Sequence, residues 1–383
     1  MMKYDLVIAG GGAAGLAAAA SFIEEQNRDG EGEPAKICIL EKNDALGRKI
    51  NATGGGRCNL TNQACPGREE TLAFFRRMGI ETWQDSEGRY YPYTNKASDV
   101  SKALVDAVSS SADIKCGFTV KVISRIQPDD GSEGCFMITG MQGGAMEMVF
   151  ADKVLMAMGG KAGPQFGTTG DGYTIARTLG HTVTRVFPIL TGIECQAEGV
   201  DFASLKGVRA KGTVILTKDG KPIVRDTGEI QFTEDGISGI CVFNLTPHIK
   251  AEKGERFDDA LRRFSIILDL APDFTEEQIA SRERVFGILT EKLAAVFDRA
   301  DAARIKHWEL TITGIKGWRD AQATFGGVAL DEIDMDTMES RLVPGLYFAG
   351  EIIDAQGPCG GFNLQNAWET GMKAARGIRN GEI

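Results

Sequence analysis

The sequence predicts an α/β fold whose parallel sheet is covered by helices, and three observations carry that prediction. An apolar run at the start, Leu6 Val7 Ile8 Ala9, stops at a glycine cluster and passes into an alanine-rich segment. Two later apolar runs end in the same way, Val149 to Met158 at Gly159 and Gly160, and Leu346 to Ala349 at Gly350 and Glu351. After Pro188 the pattern changes to short alternating runs, and a second break in composition falls near Gly326.

The N-terminal element reads as a buried parallel strand, a tight turn and a helix start. Its turn carries Gly10-x-Gly12-x-x-Gly15. In a dinucleotide fold the first glycine permits the turn, the second lets backbone approach a diphosphate, and the third lets helix and strand pack closely. A purely structural glycine turn fits the spacing as well. A break at Gly30 to Pro34 separates the helix from a second apolar strand, Lys36 to Leu40, which ends in Glu41, 26 residues beyond Gly15. A carboxylate there is placed to accept both hydrogen bonds of an adenosine ribose diol; the alternative is a solvent-facing acid at a strand end.

The next stretch, Leu46 to Asn62, combines Arg48, Lys49 and Arg57 with the triple glycine Gly54 to Gly56. Its glycines expose successive N–H groups to an anion and its cations add charge beside phosphates. Residues 69–108 read as mostly helical, interrupted at 87–92. Two β-like runs, Phe118 to Ile126 and Cys135 to Thr139, then form a hairpin or small sheet. Asp171, which opens a helical stretch, is a helix cap or a polar contact to a ligand.

Residues 189–250 and 306–319 alternate apolar and polar positions and predict a mainly β domain. Residues 251–305 are charged and helical by pattern and predict a helical subdomain. The last segment returns to the first fold: the strand ending at Gly350 and Glu351 is followed by GPCGGFNLQN over 357–366, a glycine pair just before a helix.

Composition narrows the function classes. A net charge of −10 argues against a general nucleic-acid or anionic-membrane surface. No apolar stretch spans a bilayer and no leader pattern opens the chain, so a cytoplasmic protein is expected. The eight cysteines show no CxxC and the three histidines, His181, His248 and His307, lie far apart, so no metal site is expected. Cys58 sits among basic and glycine residues that would lower a thiol pKa, yet it lacks a partner at the spacing of a disulfide reductase, and Cys65 is not read as its redox partner. Arg57, Tyr90, Tyr91 and Arg319 are polar groups with structural roles as the simpler reading, so no catalytic acid or base is named.

Together VIAGGGAAGLAAA over 7–19, Glu41, GRKINATGGGRCNLTN over 47–62, VLMAMGG over 154–160 and the segment 337–368 resemble the BaiN/YhiN-type flavoproteins. These are FAD-binding oxidoreductases that include 3-dehydro-bile-acid reductases and aminoacetone-oxidase-like proteins. The resemblance implies a discontinuous Rossmann-like FAD-binding domain, residues 1–188 and 320–383, around the inserted β domain and helical subdomain. It places Gly10, Gly12, Ala13, Ala14 and Gly15 at the pyrophosphate, Glu41 at the adenosine ribose and Val120 at the adenine, with Lys42 among the cofactor-binding residues. Arg48, Lys49, Gly55, Gly56, Arg57 and Cys58 fall along the flavin side and Gly361, Phe362 and Asn363 beside the isoalloxazine, Gly350 and Glu351 take the strand end that meets the ribityl or pyrophosphate region, and Gly159 completes the cofactor-binding set. Glu351 stands where the wider pattern has Asp, and Phe362 where the family has Tyr.

The expectation that follows is an FAD-dependent oxidoreductase passing hydride between flavin and a small organic substrate, with reduction of an activated C=C bond of an enone or sterol-like molecule as the specific form. No second Gly-x-Gly-x-x-Gly follows a strand, so no separate NAD(P) domain is expected, and the electron donor is either transiently docked NAD(P)H or another redox protein. The alternatives are a flavin-binding regulatory or sensing protein without turnover and, more remotely, a nicotinamide-binding protein using the same turn.

Overall fold

The computed structural model describes residues 3–30, 33–127, 134–252 and 254–381. The chain divides into two compact units, Met1–Phe187 with Ala323–Ile383, and Pro188–Gln322.

The first unit is built on a seven-stranded sheet. Lys3–Ala9 lies in its middle and pairs in parallel with Ile37–Glu41 on one side and Ala145–Met156 on the other. Ala112–Cys116 continues the sheet beyond Ile37–Glu41, also in parallel. The long strand Ala145–Met156 does two jobs along its length. Its first half pairs antiparallel with Cys135–Gln142, which in turn pairs with Thr119–Ile126. Its last residues, Val154 to Met156, accept Leu346–Phe348 in parallel. Burial follows this division: exposure is frequent near Ala145, whereas Val154, Leu155 and Met156 are fully buried, as a strand covered on both faces requires.

The helix after the first strand, Ala13–Asp29, crosses the last helix, Phe362–Asn380, at close range. Small residues permit this: a Cβ on Gly371 would overlap the carbonyl oxygen of Ala14. Trp368 anchors the last helix, fully buried, with its indole N–H donating to Leu60 O at 3.0 Å and its ring edge-on to Phe75. Within 69–108 the helices are Arg68–Arg77 and Ala97–Ser109. The interruption between them supplies Thr82–Gln84 and Arg89–Pro92, which form a small antiparallel sheet with Thr61–Asn62.

The second unit is a closed antiparallel barrel of six strands: Ile193–Gln196, Gly236–Ser238, Lys221–Phe232, Arg209–Lys218, Phe264–Asp269 and Trp308–Ile315. Trp308 stacks on Phe202 and on Phe232 in its core, and Phe297 meets Trp308 edge-on. This corrects the reading of 251–305 as a helical subdomain. Phe264–Asp269 alternates buried Phe264, Ile266 and Leu268 with half-exposed residues and is a barrel strand. The helices around it, Phe257–Leu261, Glu276–Ala280, Glu291–Ala294 and Ala302–Lys306, are one-turn pieces that pack in the same core. Charge-rich flanks outweighed a six-residue alternation in the sequence pattern.

Candidate active site

The first glycine turn uses each of its glycines differently. Gly10 has φ +111, and a Cβ there would overlap the Ala157 carbonyl oxygen. Gly15 packs on the Gly10 carbonyl with no room for a methyl, so helix and strand meet through it. Gly12, by contrast, faces open space: nothing lies within 4 Å of where its Cβ would be. Gly12 is also the N-cap of the helix Ala13–Asp29, which has no side-chain cap and no acid in its first turn. The N–H groups of Ala13, Ala14 and Gly15 thus sit at a positive helix end facing that space.

Glu41 ends the neighbouring strand and is 8% exposed. Its Oε2 accepts from Gly11 N–H at 2.9 Å, and its Oε1 accepts from the Asn43 backbone and side-chain N–H groups at 2.8 and 2.7 Å. The carboxylate is thereby aimed by the glycine turn itself. Val120 is brought to the same end of the sheet, because Phe118 N–H donates to Glu41 O and Gly117 N–H to Asn43 O. A register shift follows Val120 in its strand.

Lys42 turns away to an ion pair with Asp171 and a hydrogen bond to Thr169, each at 2.7 Å. Burial pushes the Asp171 carboxyl up, but the hydrogen bonds from Lys42 and Thr169 outweigh it and hold the group below the usual range. Asp171 is not a helix cap: the helix it opens has Gly170 as N-cap and no side-chain cap.

A second set of contacts joins the two ends of the unit. Gly47 N–H donates to Gly11 O at 2.8 Å, which brings the short helix Arg48–Ala52 against the glycine turn. Lys49 Nζ then meets Glu351 Oε2 at 2.6 Å, and Glu351 Oε1 accepts from Thr324 N–H at 2.7 Å. Gly350, with φ +78, sits 2.7 Å by its ideal Cβ from Ala14 Cβ, and its N–H donates to Thr370. Gly159, also left-handed, follows the strand that pairs with Leu346–Phe348. Arg48 is exposed and makes only long contacts, 3.4 Å to Asn43 and 3.5 Å to Asp44.

The glycine-rich loop runs Gly54, Gly55, Gly56 and Cys58 through left-handed backbone, and the positions of Gly55 and Gly56 face open space. Arg57 is exposed and lies over the Tyr91 ring at 4.7 Å, while Tyr91 stacks on Trp83. Cys58 corrects an expectation. Its side chain is fully buried, and burial pushes the thiol up to about 12, outweighing the hydrogen bond with Thr53 that acts the other way. The basic neighbours in sequence do not reach it. Cys58 and Cys65 are free thiols.

This loop meets the glycine pair before the last helix. Asn62 Nδ2 donates to Gly360 O at 2.9 Å, and a Cβ on Gly361 would lie 2.8 Å from Asn59 Oδ1. Phe362 opens the helix. The Asn363 amide is used within its own loop: Oδ1 accepts from Gly357 N–H, and Nδ2 donates to Gly357 O, both at 2.9 Å. Sequence reasoning missed Asn43, Asn59 and Thr324, neutral groups that carry no charge or spacing signal. Among the described residues no cluster of His, Cys, Asp and Glu could hold a metal, and no helix is long and apolar enough to cross a membrane.

The comparisons agree with this architecture. The HI0933-like protein Rossmann domain family matches residues 67–377. The chain is 33% identical to the 3-dehydro-bile acid delta(4,6)-reductase of Clostridium scindens, over 96% of this chain and 97% of the relative. It is 25% identical to the ribosomal RNA dihydrouridine synthase of Escherichia coli, over 99% of this chain and 98% of that one. In fold it resembles the 3-ketosteroid delta1-dehydrogenase of Sterolibacterium denitrificans, with a TM-score of 0.56 at 11% identity and both chains fully covered.

Proposed function

The chain belongs to the HI0933-like Rossmann-domain family and is a flavoprotein oxidoreductase, and on that premise we propose that it uses FAD to reduce a C=C bond conjugated to a carbonyl in a small enone or sterol-like substrate. The observation that carries the cofactor half is the paired arrangement of an open Gly12 turn and the inward Glu41 carboxylate. A dinucleotide needs both: uncapped helix amides for its diphosphate, and an acceptor one strand away for its ribose. The unpartnered Asn59 Oδ1 near the second uncapped helix fits the flavin end of the same molecule.

The substrate half is supported by the chemistry of the relatives' names. A 3-oxo steroid with double bonds at 4 and 6 and a uracil ring both carry a C=C in conjugation with a carbonyl. Reducing either adds hydride to the carbon remote from the carbonyl and a proton to the carbon beside it. When bound and reduced, FAD supplies the hydride. The chain's residues orient and hold: the Gly10 to Gly15 turn takes the diphosphate, Glu41 the adenosine ribose, and the Lys49–Glu351 pair fixes the short helix just before the loop Gly54 to Cys58 against the end of the returning strand. A nicotinamide docks transiently as electron donor, since one glycine fingerprint serves one dinucleotide.

A second reading, reduction of uridine within ribosomal RNA, is favoured by the full-length match to the dihydrouridine synthase. The net charge of −10 weighs against it, because RNA binding draws on cationic contacts to phosphates. An anaerobic assay separates the two. Reduced enzyme is mixed with steroid enones in one arm and with unmodified ribosomal RNA in the other. Flavin reoxidation by the enones alone supports the small-molecule reading, by RNA alone the second, and by neither overturns both.

A further inference from the structure

Asn59 is 8% exposed, and its side-chain Oδ1 has no hydrogen-bond partner among the described residues. A buried carbonyl oxygen without a donor is costly, so folds retain one chiefly where a bound group completes it. This oxygen is aimed at Gly361, whose Cβ would stand 2.8 Å from it. Gly361, at φ +103, is the N-cap of the 19-residue helix Phe362–Asn380, which has no side-chain cap and no acid in its first turn. The first hydrogen bond of that helix runs from Gln365 N–H to Gly361 O at 2.9 Å. The N–H groups of Phe362, Asn363 and Leu364 therefore have no acceptor inside the helix.

An unpaired acceptor thus stands beside a set of unpaired donors. A phosphate or carboxylate would satisfy the helix amides but leave Asn59 Oδ1 without a proton, because such anions only accept. An imide satisfies both, since its N–H is flanked by two carbonyl oxygens. We propose that Asn59 Oδ1 accepts the imide N–H of the flavin ring while the first turn of Phe362–Asn380 faces the adjacent carbonyl oxygen. The inference rests on the FAD reading above. It gives Asn59, which the glycine and charge patterns do not single out, a direct contact with the cofactor. The loop that carries the glycine pair is fixed at both ends: Asn62 secures Gly360, and Asn363 secures Gly357. The positive end of the helix favours the ring in its electron-rich, reduced form.

The test compares FAD with its N3-methyl analogue, which lacks the imide N–H, by fluorescence titration of the apoprotein. Wild type binds FAD roughly tenfold more tightly than N3-methyl-FAD, the effect of one lost hydrogen bond in a buried site. Asn59→Ala loses that preference, whereas Asn59→Asp, which keeps an acceptor oxygen, retains it. A wild type that binds both flavins equally, or an Asn59→Ala protein that keeps the preference, overturns the inference. If Asn59→Ala does not fold, the wild-type ratio and the Asp variant still decide. If wild type binds neither flavin, it is the FAD reading that fails.

Discussion

The backbone N–H of Gly11 donates to the Glu41 carboxylate at 2.9 Å, so the turn after the first strand and the acid at the end of the second form one unit. Asn43 supplies two more hydrogen bonds to the other oxygen. A carboxylate has about four acceptor sites, so Glu41 keeps capacity for a ligand after orienting itself on its own chain.

Replacing Glu41 tests that double role. Glu41→Ala leaves the Gly11 and Asn43 N–H groups unpaired, at about 1–3 kcal/mol for each buried donor. The apoprotein is expected to melt earlier, and FAD to bind at least roughly tenfold more weakly, one hydrogen-bonded ribose contact being lost. Calorimetry and fluorescence titration read the two effects separately. A lower melting temperature with unchanged FAD affinity would mean that Glu41 only braces the turn.

Gly12 and Gly15 are expected to part company. Gly15→Ala forces a methyl into the Gly10 carbonyl and should destabilise the apoprotein by about 1–3 kcal/mol or more, as overpacked sites do. Gly12→Ala meets nothing in the protein and should leave the apoprotein's melting temperature within a degree or two while reducing FAD uptake. Equal loss of stability in both variants would remove the case that Gly12 faces a ligand.

The strand, turn and helix at the N-terminus were legible because several levels repeat one message: an apolar run, a fixed glycine spacing and an acid one strand later. The closing strand at Gly350 was legible for the same reason. Asn59 and Gly361 were not, because their approach depends on two segments 302 residues apart and a neutral amide in a polar loop has no pattern. Phe264–Asp269 was hidden by the charges on both sides of it, although its alternation is plain once the barrel is seen. Cys58 misled through its neighbour. Arg57 is adjacent in sequence but lies over Tyr91, while the thiol points into the core.

Buried thiols make the fold sensitive to alkali. Burial pushes Cys38, Cys58 and Cys195 up to about 12 and Cys241 up to about 11. Above the ordinary thiol pKa near 9 the unfolded chain releases these protons while the folded chain keeps them. The unfolded state then binds fewer protons, so stability falls as pH rises through that window. Denaturant midpoints should decline steadily from pH 8.5 to 10.5, and Cys58 should resist iodoacetamide at pH 8 until the protein is unfolded. Rapid alkylation of native Cys58 would contradict its buried placement.

The Lys49–Glu351 pair links the short helix Arg48–Ala52, just before the glycine loop, to the end of the returning strand, with both side chains about a quarter exposed. Glu351→Ala leaves Lys49 and the Thr324 N–H without their acceptor and is expected to cost about 1–3 kcal/mol. Glu351→Asp, one methylene shorter, cannot span both partners and should recover only part of that loss. Chemical denaturation of the three proteins checks the order: wild type, then Asp, then Ala.

The most direct test of the central claim is a single anaerobic turnover. The FAD-loaded enzyme is reduced with one equivalent of dithionite and mixed with a 3-oxo steroid bearing conjugated double bonds at 4 and 6, and flavin absorbance and product mass are followed together. The expected result is recovery of the oxidised flavin band with an equal amount of steroid that has gained two hydrogen atoms across a C=C bond, the ketone intact. A flavin band that stays bleached, or a product reduced at the ketone instead, would contradict the account.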